Sequence, residues 1–316
     1  MHKFNIIPVF LLSIGISVSA EDWKTVLFPD SENISGIQMF SADSGYVVTS
    51  EGNCYRTASR GKNWEKSVVL KNGRLESLSF LDWNTGWVCG HAGSIFFTAD
   101  GGKTWLDQSW KDLASIFFDV QFVNKDTGIA VGMRPTEENN MAAIAIKTND
   151  GGESWKKLEA MGMAYSEIRY EIGSHKLFFM SVGKMHISTD GGRKWRSIGT
   201  IEGAAARTFS IYGNTGIMAG PKGVCAYSND SGQTWYKTTQ GETEHFVSSV
   251  LVDPYNGYIS GTNGLLLFTK DGGHSWLPET LPKTFLVMDM TAINGTVYAV
   301  GSDGNIVYKQ FQRVGK

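Results

Sequence analysis

The chain of 316 residues is short of several features that would point to particular protein classes. It has 3 cysteines, 7 prolines and a net charge of −2. The balanced charge gives no support for a nucleic-acid or anionic-membrane partner. An odd, small number of cysteines does not form a disulfide framework. Beyond the first 20 residues no stretch approaches the ~18 uninterrupted apolar residues of a membrane-spanning helix.

Motifs that carry catalysis are also missing. The sequence has no G-x-S-x-G nucleophile elbow, no phosphate-binding loop and no G-x-G-x-x-G. Its 6 histidines show no H-x-x-x-H or H-x-H spacing, so we expect surface residues rather than metal ligands. We therefore predict no catalytic residues, no cofactor and no metal site.

The first 20 residues have the pattern of a cleaved signal peptide. A weakly basic start at Lys3 precedes an apolar run from Ile6 to Val18, and small residues end at Ala20. The residue directly after the expected cut is Glu21 and not a cysteine, so a lipid anchor is not expected there. We predict export to a periplasm or out of the cell, with 21–316 folding as one domain.

What the chain has in abundance is repetition. An eight-residue pattern recurs as TASRGKNW (57–64), TADGGKTW (98–105), TNDGGESW (148–155), STDGGRKW (188–195), SNDSGQTW (228–235) and TKDGGHSW (269–276). Its last residues are Trp64, Trp105, Trp155, Trp195, Trp235 and Trp276, spaced by 40 or 41 residues except for one gap of 50. A period of ~40–45 residues is typical of a β-propeller.

The repeated pattern predicts a turn between two strands. Its carboxylates, absent only from the first copy, are Asp100, Asp150, Asp190, Asp230 and Asp271. A short acidic side chain can accept hydrogen bonds from the turn's own backbone, and glycine supplies a positive φ. A calcium loop would need several more oxygen ligands, so we interpret these turns as structural.

Each repeat also contains three apolar runs before its turn, which predicts four antiparallel strands per unit. Six units end at the six tryptophans, and a seventh begins at Phe285 but stops one strand short. The missing strand is predicted at Trp23 to Phe28, where Trp23 stands as the other tryptophans do. The predicted fold is all-β: a seven-bladed propeller of four-stranded antiparallel blades, closed by the N-terminal strand.

The stretch GWVCGHAGSIFFTADGGKTW (86–105) resembles the blade motif of the Ycf48/HCF136 family of photosystem II assembly factors, and the resemblance extends over residues 23–309. It implies a non-catalytic propeller that helps to assemble a membrane complex. The turn itself resembles the Asp-box, or BNR repeat, which also occurs in sialidases and sortilin-type receptors. A glycan-binding or sialidase-like protein, and a purely structural envelope propeller, are the alternatives.

Sialidases use three arginines, the first in an Arg-Ile-Pro motif, which is absent here. The nearest imitation, from Glu167 to Glu171, is interpreted as a strand with one polar face. Cys54 and Cys225 both lie ten residues before their tryptophan, at a packing position. We therefore expect them, with Cys89, to be buried free thiols.

The third repeat is about nine residues longer than the others, and the surplus runs from Arg134 to Met141 in the turn between its second and third strands. Loops on a rigid scaffold often carry function. We predict a mixed-charge face that binds a segment of an exported or membrane protein. Its candidate residues are Arg74, Arg134, Glu137, Glu138, Lys184, Arg207 and Lys222. The protein is expected to be monomeric.

Overall fold

The computed structural model describes residues 22–112, 114–138, 140–158, 165–171, 175–181, 184–200, 206–239 and 244–311. The predicted signal peptide lies outside these residues. The described chain forms 28 strands in seven four-stranded antiparallel sheets, which are the blades of a propeller. In these residues no helix has the length and apolar character needed to cross a membrane. The predicted fold class is confirmed.

Six blades are continuous in sequence, and we call their strands A to D from the channel outward. Blades 1 to 3 are β2 (Ile34–Met39), β3 (Gly45–Thr49), β4 (Asn53–Thr57), β5 (Glu65–Val68); β6 (Leu75–Phe80), β7 (Gly86–Gly90), β8 (Ile95–Thr98), β9 (Leu106–Asp107); β10 (Ile116–Phe122), β11 (Gly128–Pro135), β12 (Met141–Thr148), β13 (Lys156–Lys157). Blades 4 to 6 are β14 (Tyr165–Glu171), β15 (Lys176–Ser181), β16 (Lys184–Ser188), β17 (Arg196–Thr200); β18 (Thr208–Tyr212), β19 (Thr215–Ala219), β20 (Val224–Ser228), β21 (Tyr236–Thr239); β22 (Phe246–Leu251), β23 (Gly257–Gly261), β24 (Leu266–Thr269), β25 (Leu277–Pro278).

Blade 7 joins the two ends of the chain. Its inner strands are β26 (Val287–Ile293), β27 (Thr296–Gly301) and β28 (Ile306–Gln310), and its outer strand is β1 (Lys24–Val26). In the ladder Lys24 is opposite Tyr308 and Val26 is opposite Ile306. The predicted closure by the N-terminal strand is therefore confirmed, and it leaves no unpaired inner strand in the ring. Single 3-10 turns, Thr262–Gly264 and Ser302–Gly304, connect strands B and C of blades 6 and 7.

The hydrophobic core lies between the blades. Every residue of β3, β7 and β23 is buried, because a neighbouring blade covers each face of these B strands. The three cysteines occur in this core as free, buried thiols, as predicted. The prediction of surface histidines is wrong for His186, which is 3% exposed and stacks on Phe179 at a centroid distance of 4.5 Å.

The repeated turns connect strands C and D, as predicted. In the second copy, Asp100 Oδ1 accepts hydrogen bonds from the backbone N–H groups of Lys103 at 3.0 Å and Thr104 at 2.9 Å. The Thr98 hydroxyl accepts from the Gly102 N–H at 2.8 Å. The Thr104 hydroxyl donates to Asp100 Oδ2 at 2.6 Å, and this bond, together with those from the backbone, lowers the pKa of Asp100 to about 2. Its carboxylate therefore acts inside the turn, and the equivalent aspartates of the other four complete copies accept corresponding bonds.

The surplus residues of blade 3 are less loop-like than the sequence suggested. Strands β11 and β12 each have eight residues and stay paired as far as Pro135 and Met141. Arg134 therefore belongs to a strand, and only the tip carrying Glu137 and Glu138 projects beyond the ladder. The insertion is an extended hairpin that rises above the propeller face formed by the B–C turns.

Candidate functional site: the central cavity and its rim

The A strands of the seven blades surround a cavity with a volume of about 450 Å³. In six of these strands the pairing with strand B shifts by one residue near the start. Such bulges turn side chains toward the axis. The lining includes Arg74, Glu76, Asp119, Glu167, Arg169, Arg207, Ser248 and Asp289. The cavity therefore combines three arginines with four carboxylates.

Asp119, in blade 3, is held by four contacts. Its Oδ1 accepts from the Ser77 hydroxyl at 2.6 Å and from the Val120 N–H at 2.9 Å. Its Oδ2 accepts from the Ile168 N–H of blade 4 at 2.9 Å and faces Arg169 Nη1 at 3.3 Å. Burial nevertheless raises the pKa of Asp119, although Arg169 opposes the change.

Glu167 and Arg169 lie on the same strand, β14, and their side chains form an ion pair in the cavity. The other oxygen of Glu167 accepts from the Phe209 N–H of blade 5 at 2.7 Å. Burial raises the pKa of Glu167 to about 7, in spite of the arginine. For Arg169, burial would lower the pKa, but Glu167 and Asp119 outweigh this effect and raise it.

Asp289, in blade 7, accepts hydrogen bonds from the Ile37 N–H at 3.0 Å and the Met290 N–H at 2.8 Å. Burial raises its pKa to about 6, with Arg169 acting in the opposite direction. Among the described residues no cationic group lies within ion-pair distance of this carboxylate. The cavity floor thus carries one arginine for three carboxylates.

The predicted binding face lies above this floor. Some of its basic residues form ion pairs within the protein and others do not. Arg74 pairs with Glu76 at 2.7 Å, and His91 also contacts that carboxylate at 2.9 Å. Arg134 pairs with Asp112 at 3.4 Å. The described residues show no ion pair for Arg207, Lys184 or Lys222, all three of which are exposed.

The structure brings only part of the predicted set together. Arg74 and Arg207 line the cavity directly. Lys184 begins β16 after the B–C turn of blade 4, and Lys222 lies in the B–C turn of blade 5 with a φ of 58°. These two lysines, with Arg134, Glu137 and Glu138, belong to the outer rim on the same face and are not among the cavity-lining residues.

Sequence reasoning missed Asp119, Ser248 and Asp289 as a set. A signal existed for two of them: Asp119 and Ser248 each lie nine residues before the glycine that starts strand B, at Gly128 and Gly257. This offset marks the same position in the blade. Blade 7 lacks that glycine, so Asp289 could not be assigned to the set in the same way.

Comparison with known proteins identifies relatives. Residues 16–111 and 70–137 match the family model described as photosynthesis system II assembly factor YCF48. No curated protein sequence matches the chain.

Several solved structures share the fold. A structure described as YCF48 bound to D1 peptide is 18% identical, with a TM-score of 0.71, over 94% of this chain and all of that one. YCF48 from Cyanidioschyzon merolae is 15% identical, with a TM-score of 0.69, over 92% of this chain and 99% of that one. The WD40 repeats of RRP9 are 7% identical with a TM-score of 0.71, over 93% of this chain and 100% of that one. At these identities the likeness is one of fold.

Proposed function

We propose that this seven-bladed propeller is a non-catalytic, Ycf48-like scaffold that binds an extended segment of another protein at its central cavity. Its role is to assist the assembly or stability of a membrane or envelope protein complex. The observation that carries the proposal is the cavity itself. It is open on the face of the B–C turns, has mixed charge and is built on rigid A strands.

The cavity suits a polypeptide better than a small acidic ligand. Arg207 at the wall and the exposed lysines at the rim can pair with carboxylates of a partner, whereas the floor attracts positive charge. An extended segment can place acidic side chains at the rim and a basic side chain at the floor at the same time, because successive side chains of an extended chain point in opposite directions. The solved relative described as YCF48 bound to D1 peptide shows that a related propeller accepts a peptide.

The sialidase-like alternative needs three guanidinium groups free to grip one carboxylate. The cavity does contain Arg74, Arg169 and Arg207, but the first two are paired with Glu76 and Glu167. Of the three, Arg207 is the one without an ion pair among the described residues. The internal pairing therefore favours the binding role over glycoside hydrolysis.

We also propose that the protein works after export, in a periplasm or outside the cell. The support is the signal-like segment at residues 1–20. A fusion of this segment to a reporter that is active only outside the cytoplasm tests the point. Reporter activity is expected with the segment and not without it.

Binding is tested with an array of 15-residue peptides tiled along the exported and membrane proteins of the source organism. Positive peptides are then measured in solution by fluorescence anisotropy. Arg207→Glu should weaken the best peptides about tenfold or more, since it reverses the free charge at the cavity wall. Arg193→Glu is the matched control, because Arg193 is exposed in a repeated turn on the opposite face.

A second variant tests the hairpin. Replacing Glu137 and Glu138 with lysines reverses the charge at its tip, and the melting temperature should change little because both side chains are exposed. With lysines at the tip, acidic peptides should bind more tightly and basic peptides more weakly than they bind to the parent. The proposal fails if no tiled peptide binds, if Arg207→Glu and Arg193→Glu behave alike, or if the protein hydrolyses sialosides or β-glucans at enzyme-like rates.

A further inference from the structure

One position recurs in every A strand at the level of the cavity floor. In six blades it follows the bulge, and in blade 5 the strand is regular. Around the ring the occupants are Gly36, Ser77, Asp119, Glu167, Thr208, Ser248 and Asp289. Three of them, Ser77, Thr208 and Ser248, are small and line the cavity together with the three carboxylates. Gly36 packs against Leu78 and Val48 and does not line the cavity.

The charge in this ring is unbalanced. Arg169 contacts Asp119 and Glu167, which are in neighbouring blades. Asp289 is three blades away from both, and its hydrogen-bond donors among the described residues are backbone N–H groups. Burial is the main cause of the raised pKa values of Glu167 and Asp289, about 7 and about 6, and the neighbouring carboxylate of Asp119 adds to it.

Ser248 provides a second, independent indication of a missing ligand. This side chain is 4% exposed and lines the cavity in blade 6, directly beside the blade that carries Asp289. Its hydroxyl has no hydrogen-bond partner in the described part of the protein. A buried hydroxyl without a partner is destabilising unless a ligand or water satisfies it. Blades 6 and 7 are neighbours in the ring, so Ser248 lies on the side of the cavity that carries Asp289.

We propose that the floor of the cavity, at Asp289 and Ser248, binds a primary ammonium group of the partner segment. The inference rests on the proposed peptide-binding function and specifies its chemistry. The source is either a lysine side chain or the amino terminus of the partner chain. The basic rim then pairs with acidic residues that flank this group.

An ammonium fits the site better than a metal ion does. It donates three hydrogen bonds, and Asp289 and Ser248 supply acceptors for them. A metal ion needs several ligands at once, and the described residues contain no group of three or more metal-ligating side chains in suitable positions. The ammonium also supplies the second positive charge that the ring lacks.

Three small probes test the site without any peptide. Nα-acetyl-L-lysine N-methylamide carries a side-chain ammonium, L-norleucine N-methylamide carries an α-ammonium, and Nα-acetyl-L-norleucine N-methylamide carries neither. Binding is measured at millimolar concentrations by chemical-shift changes in two-dimensional NMR. Saturable binding of at least one charged probe, at least tenfold tighter than that of the neutral probe, is expected. The charged probe that binds identifies the source.

Variants locate the binding. Asp289→Asn should weaken the charged probe at least tenfold, and Ser248→Ala should weaken it several-fold without loss of stability, because the hydroxyl has no partner to lose. Asp303→Asn is the matched control, since Asp303 is an exposed aspartate in the same blade. If Asp289→Asn does not fold, Ser248→Ala and the neutral probe still decide the question.

The inference is overturned if the neutral probe binds as well as the charged ones, or if none of the three binds. It is also overturned if Asp289→Asn binds the charged probe as tightly as the parent and the control Asp303→Asn do. The peptides separate this result from failure of the proposed function. Replacing lysine with norleucine in a bound peptide should lower its affinity about tenfold for the parent and not for Asp289→Asn. Peptides that bind equally with either residue would leave the scaffold function standing and remove the ammonium site.

Discussion

Replacing Trp23 with alanine tests how the ring is closed. Trp23 precedes the outer strand of blade 7 and is 7% exposed. Its ring packs edge-on against Tyr258 of blade 6 at a centroid distance of 5.3 Å. It belongs to the buried cluster that also contains Leu281 and Phe285. The side chain therefore contributes to the contact between the closing blade and its neighbour.

The expected cost follows from the volume removed. Replacing a buried tryptophan or phenylalanine with alanine costs about 3–5 kcal/mol, as lost burial plus the remaining cavity. For a domain of this size about 2–4 °C is lost per kcal/mol, so the melting temperature should fall on the order of 10 °C. Trp23→Phe should recover most of this loss. It keeps an aromatic ring and removes an indole N–H that has no partner among the described residues.

Urea unfolding and thermal melting of the purified protein provide the measurement. Leu27→Ala is the matched control, because Leu27 is in the same segment but is 83% exposed. Its carbonyl, which accepts from Trp64 Nε1 at 3.0 Å, is unchanged by the substitution. The control should stay within about 0.5 kcal/mol of the parent. Equal stabilities for Trp23→Ala and Leu27→Ala would refute the closure by Trp23.

Three further predictions concern the whole ring. Removing the chain up to Phe28 should destabilise the protein strongly, because blade 7 loses its outer strand; an unchanged melting temperature would contradict this. The thiols of Cys54, Cys89 and Cys225 should be unreactive in the native protein and react in denaturant, since all are buried; an intact disulfide in mass spectrometry would oppose it. Glu167 and Asp289 have pKa values raised above the usual ones, to about 7 and about 6, so the folded protein holds more protons between pH ~4 and 7. Stability should therefore fall as pH rises through this range, and Glu167→Gln should flatten the fall; equal slopes for the parent and the variant would show that Glu167 is not responsible.

Repetition explains why the fold was predictable from the sequence. Each blade packs against its neighbours in the same way, so the turn that ends at Trp105 recurs with tryptophans at 155, 195, 235 and 276. Trp23 is placed before a short strand as those tryptophans are, although no repeated turn precedes it, and this indicated the closing strand. The cysteine prediction succeeded for the same reason, since Cys54 and Cys225 occupy a position that is apolar in other blades.

The same logic explains why the binding floor was not predictable. A ligand site at the axis of a ring depends on residues that differ from blade to blade, so the sequence repeats the position but not the residue type. Asp119, Glu167 and Asp289 are far apart in sequence and meet only because their strands share a level around the axis. The long insertion was recognised from its length, but its extended strand pairing from Gly128 to Thr148 depends on cross-strand contacts.

Some side chains of the A strands accept a hydrogen bond from the backbone of the next blade, and comparing them shows whether the carboxylates are needed for that purpose. Asp119, Glu167 and Asp289 each accept a backbone N–H of the next blade, which could be interpreted as a purely structural role. Three other junctions make the same kind of tie with neutral acceptors: Gln38 to the Phe80 N–H, Ser79 to the Phe122 N–H, and Ser210 to the Leu251 N–H, at 2.8, 2.9 and 2.9 Å. These neutral acceptors lie two residues further along strand A than the carboxylates do, and they show that two blades can be joined without a charged side chain. Buried charge is costly to keep. A floor with three carboxylates and one arginine is better explained by a cationic group that arrives with the partner.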